Sequence, residues 1–180
     1  MRRVVVTGLG AITPIGNSVS QMWESVKAGK CGIDKITLFD TTDRKVTLAG
    51  EVKNYVPEEF LDKREARKMD RYVQFAMAAA NEAMKDAGLD MEKEDTSRCG
   101  CIVSSGIGGL GTIEAEDKKG MEKGYDRVSP HFIPMVISNM AAGNIAIAYG
   151  FHGMCTCPVT ACASGTNAIG DAFRQIRDGY

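Results

Sequence analysis

Residues 155–178 read Cys155-Thr156-Cys157-Pro158-Val159-Thr160-Ala161-Cys162-Ala163-Ser164-Gly165-Thr166-Asn167-Ala168-Ile169-Gly170-Asp171-Ala172-Phe173-Arg174-Gln175-Ile176-Arg177-Asp178. Cys155 to Ala161 predicts a strand. Ala163 to Asp178 predicts a helix, with Ala168, Ile169, Ala172, Phe173 and Ile176 on one face and Gly179 as its stop. Cys162 falls where the strand turns into the helix. A strand feeding straight into a helix is the building unit of layered α/β domains, so the next question is whether the unit recurs upstream.

It does. Cys99 to Ser105 predicts a strand running into glycines, and Arg3 to Thr7 is a β-branched run that ends at Gly8 and Gly10. Asn17 or Ser18 can cap a helix carrying Val19, Met22, Trp23 and Val26, stopped by Gly29. Asp62 with Glu65 resembles a capping box. Met69, Val73, Ala76, Ala80, Ala83 and Ala87 then step at helical spacing to Gly88, predicting one long amphipathic helix. Phe132 to Met140 and Ala141 to Tyr149 read as two helical pieces split near Gly143. Residues 111–127 read as loop plus a short helix. Asp40 to Asp43 predicts a turn, and the alternation of Val46, Leu48 and Gly50 a short hairpin or excursion. The order predicts one α/β domain over residues 1–180, layered around a mainly parallel sheet.

The chain has 180 residues, 44% of them hydrophobic, which is enough for one core, and a net charge of −1. That charge gives no general case for nucleic acid or another polyanion. No stretch is apolar enough to span a membrane. Met1-Arg2-Arg3 before an apolar run faintly mimics a secretory signal, but glycines and Pro14 interrupt it early. The six cysteines are therefore expected as reduced thiols in a cytoplasmic protein.

At the start of a helix, free N–H groups and the helix dipole favour an anion. A thiolate there is nucleophilic near neutral pH, and the same N–H groups can hold an oxyanion formed when it attacks a thioester. Small neighbours at Ala161, Ala163, Ser164 and Gly165 leave room beside the sulfur. The competing reading of Cys162 is a small buried apolar residue. Acyl transfer through a thiolate needs a proton shuttle. His131 and His152 are the chain's two histidines, and each reads better as a loop or helix-end residue than as a base.

The stretch Val4-Val5-Val6-Thr7-Gly8-Leu9-Gly10-Ala11-Ile12-Thr13-Pro14-Ile15-Gly16 resembles the opening of the elongating β-ketoacyl-[acyl-carrier-protein] synthases, the bacterial synthase II type in particular. Thr160-Ala161-Cys162-Ala163-Ser164-Gly165 is similar to that family's nucleophile motif. Ser104-Ser105-Gly106-Ile107-Gly108-Gly109 and Ser129-Pro130-His131-Phe132-Ile133-Pro134 fit it in order and spacing. The resemblance implies the N-terminal half of a thiolase-like fold, two such halves packing in layers, and a homodimer. It implies fatty-acid elongation: an acyl chain moves from acyl carrier protein to Cys162 and condenses with malonyl-carrier protein as CO2 leaves. No metal or organic cofactor is implied beyond the phosphopantetheine arm that the carrier itself brings. Family chains are more than twice as long, and their two catalytic histidines and second oxyanion donor come from a second half. His131 and His152 match neither histidine, so these 180 residues are expected to be a truncated portion, inactive in condensation alone.

Arg64, Arg67, Lys68 and Arg71 fall at i, i+3, i+4 and i+7 of the expected long helix, on one face. They sit in its first turns, where positive charge opposes the dipole, so docking of an acidic partner competes with an ordinary solvated face. The resemblance places Arg64, Arg67 and Lys68 on the surface that meets the carrier protein, with Arg127 a further candidate. It makes Ile107 a lining and gating residue of the acyl pocket and has Phe132 reach that pocket from the neighbouring subunit; core packing is the alternative for both. Gly106 to Gly111 also fits G-x-G-x-x-G, but it follows the second strand rather than opening the domain, which disfavours a dinucleotide site. Cys99-x-Cys101 and Cys155-x-Cys157 place paired sulfurs on one strand face about 7 Å apart, unlike the Cys-x2-Cys turn that wraps zinc. A coenzyme A-dependent thiolase and a non-catalytic ketosynthase-like partner subunit are the alternative functions.

Overall fold

The computed structural model describes residues 2–180. Helix α1 (Val19–Lys27) starts where Ser18 accepts a hydrogen bond from the Gln21 amide. The expected hairpin is present: β1 (Asp34–Lys35) pairs antiparallel with β2 (Leu48–Ala49). At the expected turn, the Asp40 carboxylate accepts from the amide and hydroxyl of Thr42.

The expected long helix is two helices. Asp62 caps a short α2 (Lys63–Ala66), as the capping box predicts. The chain then breaks, because Asp70 takes an extended conformation and caps a fresh helix, α3 (Arg71–Ala87), by accepting from the Tyr72 amide. A second aspartate at helix-cap spacing was the available signal. Gly88 ends α3 in the left-handed conformation, at φ 65°.

Strand β3 (Cys101–Ile102) leads to α4 (Leu110–Lys123), a fourteen-residue helix where a loop with a short helix was expected. Its Gly120 is no breaker; the site is buried and presses on the Tyr125 ring, 2.6 Å from where a Cβ would stand. The next two helices, α5 (Phe132–Val136) and α6 (Met140–Tyr149), part at residues 137–139 and not at Gly143, which lies inside α6. Strand β4 (Cys155–Thr156) pairs parallel with β3, in register Cys101 to Cys155 and Ile102 to Thr156. Helix α7 (Ser164–Asp178) ends at Gly179, as expected.

The core lies where α3 and α6 pack on the parallel pair: Val73 and Met77 of α3, Ala142, Ile145 and Ala146 of α6, and Cys101 of β3. Arg3 to Thr7 joins no ladder. The segment after it is held by α3 instead: Asp86 accepts from the Leu9 amide and Glu82 from those of Ala11 and Val19, each near 3.0 Å. The alanines of α3 let this segment lie directly on the helix backbone. A Cβ on Gly8 would stand 2.1 Å from the Ala83 carbonyl oxygen, and one on Gly10 1.8 Å from that of Ala79. Gly10→Ala should therefore cost about 1–3 kcal/mol through forced backbone shifts. Gly170→Ala, a helix position with open space, should instead gain about 0.5–1 kcal/mol. Urea midpoints of the two variants against wild type check both.

Tyr72 ties α3 to the break between α5 and α6 by donating to the Ile137 carbonyl. Burial, then the Asp70 carboxylate, pushes its phenol up to about 12. A raised folded value means the bond's contribution is complete below the unfolded value near pH 10 and is lost as pH rises toward 12. The urea midpoint of wild type should thus fall more steeply over that interval than that of Tyr72→Phe.

Candidate active site

Cys162 is the centre of a 3₁₀ turn, Ala161–Ala163, that leads directly into α7. The helix starts after Cys162 as the sequence predicts, but strand β4 ends at Thr156, short of the expected Ala161, so an irregular segment, residues 157–160, carries the chain to the turn; the thiol is exposed, not buried. Ala161 has φ 48°, a left-handed conformation rare for a residue with a Cβ. That angle turns the chain sharply between strand and helix, so Cys162 stands on the crest. No side chain caps the start of α7, and its first amide, that of Ser164, donates back to the Ala161 carbonyl.

The turn is held from two sides. The Thr160 amide donates to Ser164 Oγ at 2.8 Å, and the Ser104 hydroxyl donates to the Ser164 carbonyl at 3.0 Å. Ser104 lies two residues past strand β3, and the loop that follows carries Ile107, which is 65% exposed. The Ile107 loop is braced underneath. Ser105 Oγ accepts from the Gly108 amide, Cys157 Sγ accepts from the Ser105 amide, and the Cys157 thiol donates to the Ser138 carbonyl. Phe132 opens α5 and is half-buried, and α5 meets the same loop where the Gly109 amide donates to the Val136 carbonyl at 2.9 Å. The structure therefore gathers the Cys162 turn, the Ile107 loop and the helix of Phe132 around one region.

The G-x-G-x-x-G stretch opens a helix after a strand after all. The amides of Gly109 and Gly108, however, are already used on the Val136 carbonyl and Ser105 Oγ. A Cβ on Gly109 would stand 2.8 Å from Asp70 Oδ2. A carboxylate at that helix start opposes a pyrophosphate, and Gly108 and Gly109 serve close packing against Val136 and Asp70.

Arg64 lies on α2, and Arg67 and Lys68 on the break before α3, all exposed. Because the helix is interrupted, the expected single face does not form. Arg71 leaves the group: its guanidinium lies 4.8 Å from the Phe75 ring centre and 5.8 Å from that of Tyr55, and donates to the Val52 carbonyl. Lys68 pairs with Glu65 at 2.7 Å, both half-exposed, an exposed pair of small energetic consequence. Arg127 is exposed in a separate 3₁₀ turn, Tyr125–Arg127.

His131 is exposed at the start of α5. His152 bonds Thr96 through both its ring Nδ1 and its amide, at the opposite end of the β4 strand from Cys162. Neither histidine is bonded to the thiol. Among the described residues no three His, Cys, Asp or Glu side chains cluster as metal ligands. Burial pushes the Cys101 thiol up to about 11, and Cys99 donates to the Asp95 carbonyl. Sequence reasoning missed Ser164 and Ser104 as parts of this site, although both lie within the stretches it singled out.

The chain belongs to the β-ketoacyl synthase family: residues 1–180 match the family's N-terminal domain. It is 51% identical over 178 residues to 3-oxoacyl-[acyl-carrier-protein] synthase 2 of Staphylococcus aureus (strain COL), covering 99% of this chain and 43% of that protein. It is 47% identical over 179 residues to the protein of the same name from Synechocystis sp., with the same coverage. The chain thus spans less than half the length of these curated relatives. Among solved structures, the ishigamide ketosynthase/chain length factor is similar with TM-score 0.85 and 28% identity, over 99% of this chain and 45% of that one. A type II PKS acyl-carrier protein in complex with its ketosynthase is similar with TM-score 0.77 and 26% identity, over 99% and 48%. The fold is accordingly the N-terminal half of the thiolase-like fold of ketosynthases.

Proposed function

We propose that these residues form the nucleophile-bearing half of a 3-oxoacyl-[acyl-carrier-protein] synthase that elongates fatty acids. The observation that carries this reading is Cys162 on a left-handed turn at an uncapped helix start. In the first step the Cys162 thiolate attacks an acyl thioester on the carrier protein. A sulfur–carbon bond forms and the carbonyl oxygen becomes an oxyanion at the turn; as it collapses, the bond to the carrier sulfur breaks and the carrier leaves as a thiolate. In the second, malonyl-carrier protein loses CO2, the carbanion attacks the acyl carbonyl, and the Cys162 thiolate leaves as the 3-oxoacyl product forms. Ile107 and Phe132 line the acyl pocket, Phe132 from the partner subunit of a homodimer. Arg64, Arg67, Lys68 and Arg127 meet the acidic carrier, whose phosphopantetheine arm is the only prosthetic group the reaction needs.

In this reading residues 1–180 are the first half of the enzyme, and the rest of its length supplies the histidines that His131 and His152 do not replace. The apolar stripe of α7 supports such a complement: Ile169 is 74% exposed, Phe173 46% and Ile176 47%, a patch that calls for a cover. No described helix is long and apolar enough to cross a membrane, in keeping with a cytoplasmic enzyme. Retention of Cys162 favours a catalytic subunit over a non-catalytic partner, and the basic residues favour carrier-bound substrates over coenzyme A thioesters.

In a full-length synthase containing these residues, Cys162→Ala should abolish 3-oxoacyl product from acyl- and malonyl-carrier protein. Product formation at an undiminished rate would refute the reading. Reversing charge in Arg67→Glu with Lys68→Glu should raise the KM for carrier substrates by about tenfold and leave kcat within about twofold, in line with loss of electrostatic complementarity. Steady-state kinetics against carrier concentration checks this, and an unchanged KM would remove the docking assignment.

A further inference from the structure

We infer that Ser164, backed by Ser104, is the positioning residue that keeps Cys162 on its crest, an inference that rests on Cys162 being the nucleophile. Ser164 is 5% exposed and is the first residue of α7. Its hydroxyl oxygen accepts from the Thr160 amide at 2.8 Å, reaching back four residues across Ala161 and Cys162. The Ala163 amide closes the same turn by donating to the Thr160 carbonyl at 3.1 Å. The segment between these ties contains the left-handed Ala161. A residue with a Cβ holds that conformation at a cost of about 1–2 kcal/mol, and it persists where surrounding contacts over-determine it. The Thr160–Ser164 bond is such a contact, because it fixes the two ends of the turn against each other.

Ser164 reaches back four residues to an amide that precedes the helix, the same direction as the backward bond of a capping box at one residue's greater spacing. Ser164 satisfies an amide before the helix, and no side chain satisfies the amides that begin it. The strained turn is thereby locked with no side chain laid over the start of α7. Ser104 adds the second dimension. Its hydroxyl donates to the Ser164 carbonyl at 3.0 Å, and the segment that carries it continues into the Ile107 loop. One hydrogen bond thus sets the distance between the thiol turn and the loop proposed to line the acyl pocket. If the turn relaxes, the sulfur swings off its exposed crest at the start of α7.

The test uses the chain's own cysteines as standards. Cys31 and Cys155 are exposed and Cys101 is buried. Native protein is alkylated with iodoacetamide, and peptide mapping reads the rate at each cysteine. Ser164→Ala should lower the Cys162-to-Cys31 rate ratio about tenfold, the effect of losing one buried hydrogen bond, with Cys101 still protected. Ser164→Thr, which keeps the hydroxyl, should restore the ratio. An unchanged ratio in Ser164→Ala, or a loss that Ser164→Thr does not restore, would overturn the inference. Should Ser164→Ala expose Cys101, Ser104→Ala decides: a lowered ratio supports the clamp and an unchanged one refutes it. Alkylation needs no carrier protein, so a failure here is separable from a failure of acyl transfer.

Discussion

Ala161 occupies a backbone region that alanine avoids, and the placement of Cys162 depends on that single angle. An ordinary extended residue there would carry the strand onward, and Cys162 would be one more side chain on a sheet face. With the chain turned left-handed, the sulfur is lifted to the start of α7 and exposed. Thr160, Ser164 and Ser104 share the work of holding the angle through two hydrogen bonds. The site is therefore built largely from backbone direction, and its chemistry needs few charged side chains nearby.

The rest of the domain steadies the two strands that carry this turn. The parallel pair between β3 and β4 fixes where the Ile107 loop and the Cys162 turn emerge, both from the same strand ends. Helix α6 covers that pair and packs in turn on α3, around Val73, Met77, Ala142, Ile145 and Ala146. The N-terminal segment lies with its glycines against the alanine-rich back of α3. Asp70 links the layers, capping α3 and accepting from the Thr112 hydroxyl on α4.

The helix start after Cys162, the caps at Ser18 and Asp62, and the glycine stops at Gly88 and Gly179 were legible because each rests on local chemistry. What the sequence hid was non-local. The break before α3 followed from Asp70, whose carboxylate serves a distant helix as well as its own. Helix α4 was hidden because its glycines looked like breakers, while Gly120 is needed to admit the Tyr125 ring. The Ser104–Ser164 contact joins residues sixty positions apart, and no spacing rule points to it. The basic face was misjudged for the opposite reason: helical periodicity ran through a break, and Arg71 turned to stack on aromatic rings.

These pieces converge on one claim, that the Cys162 sulfur accepts the acyl chain. The most direct measurement incubates the full-length synthase with a fatty-acyl-carrier protein and no malonyl substrate, then maps the adduct by peptide mass spectrometry. The account predicts one acyl group per chain, in thioester linkage on the peptide bearing Cys162. An adduct on any other residue, or none on an enzyme that still makes 3-oxoacyl product, would contradict it.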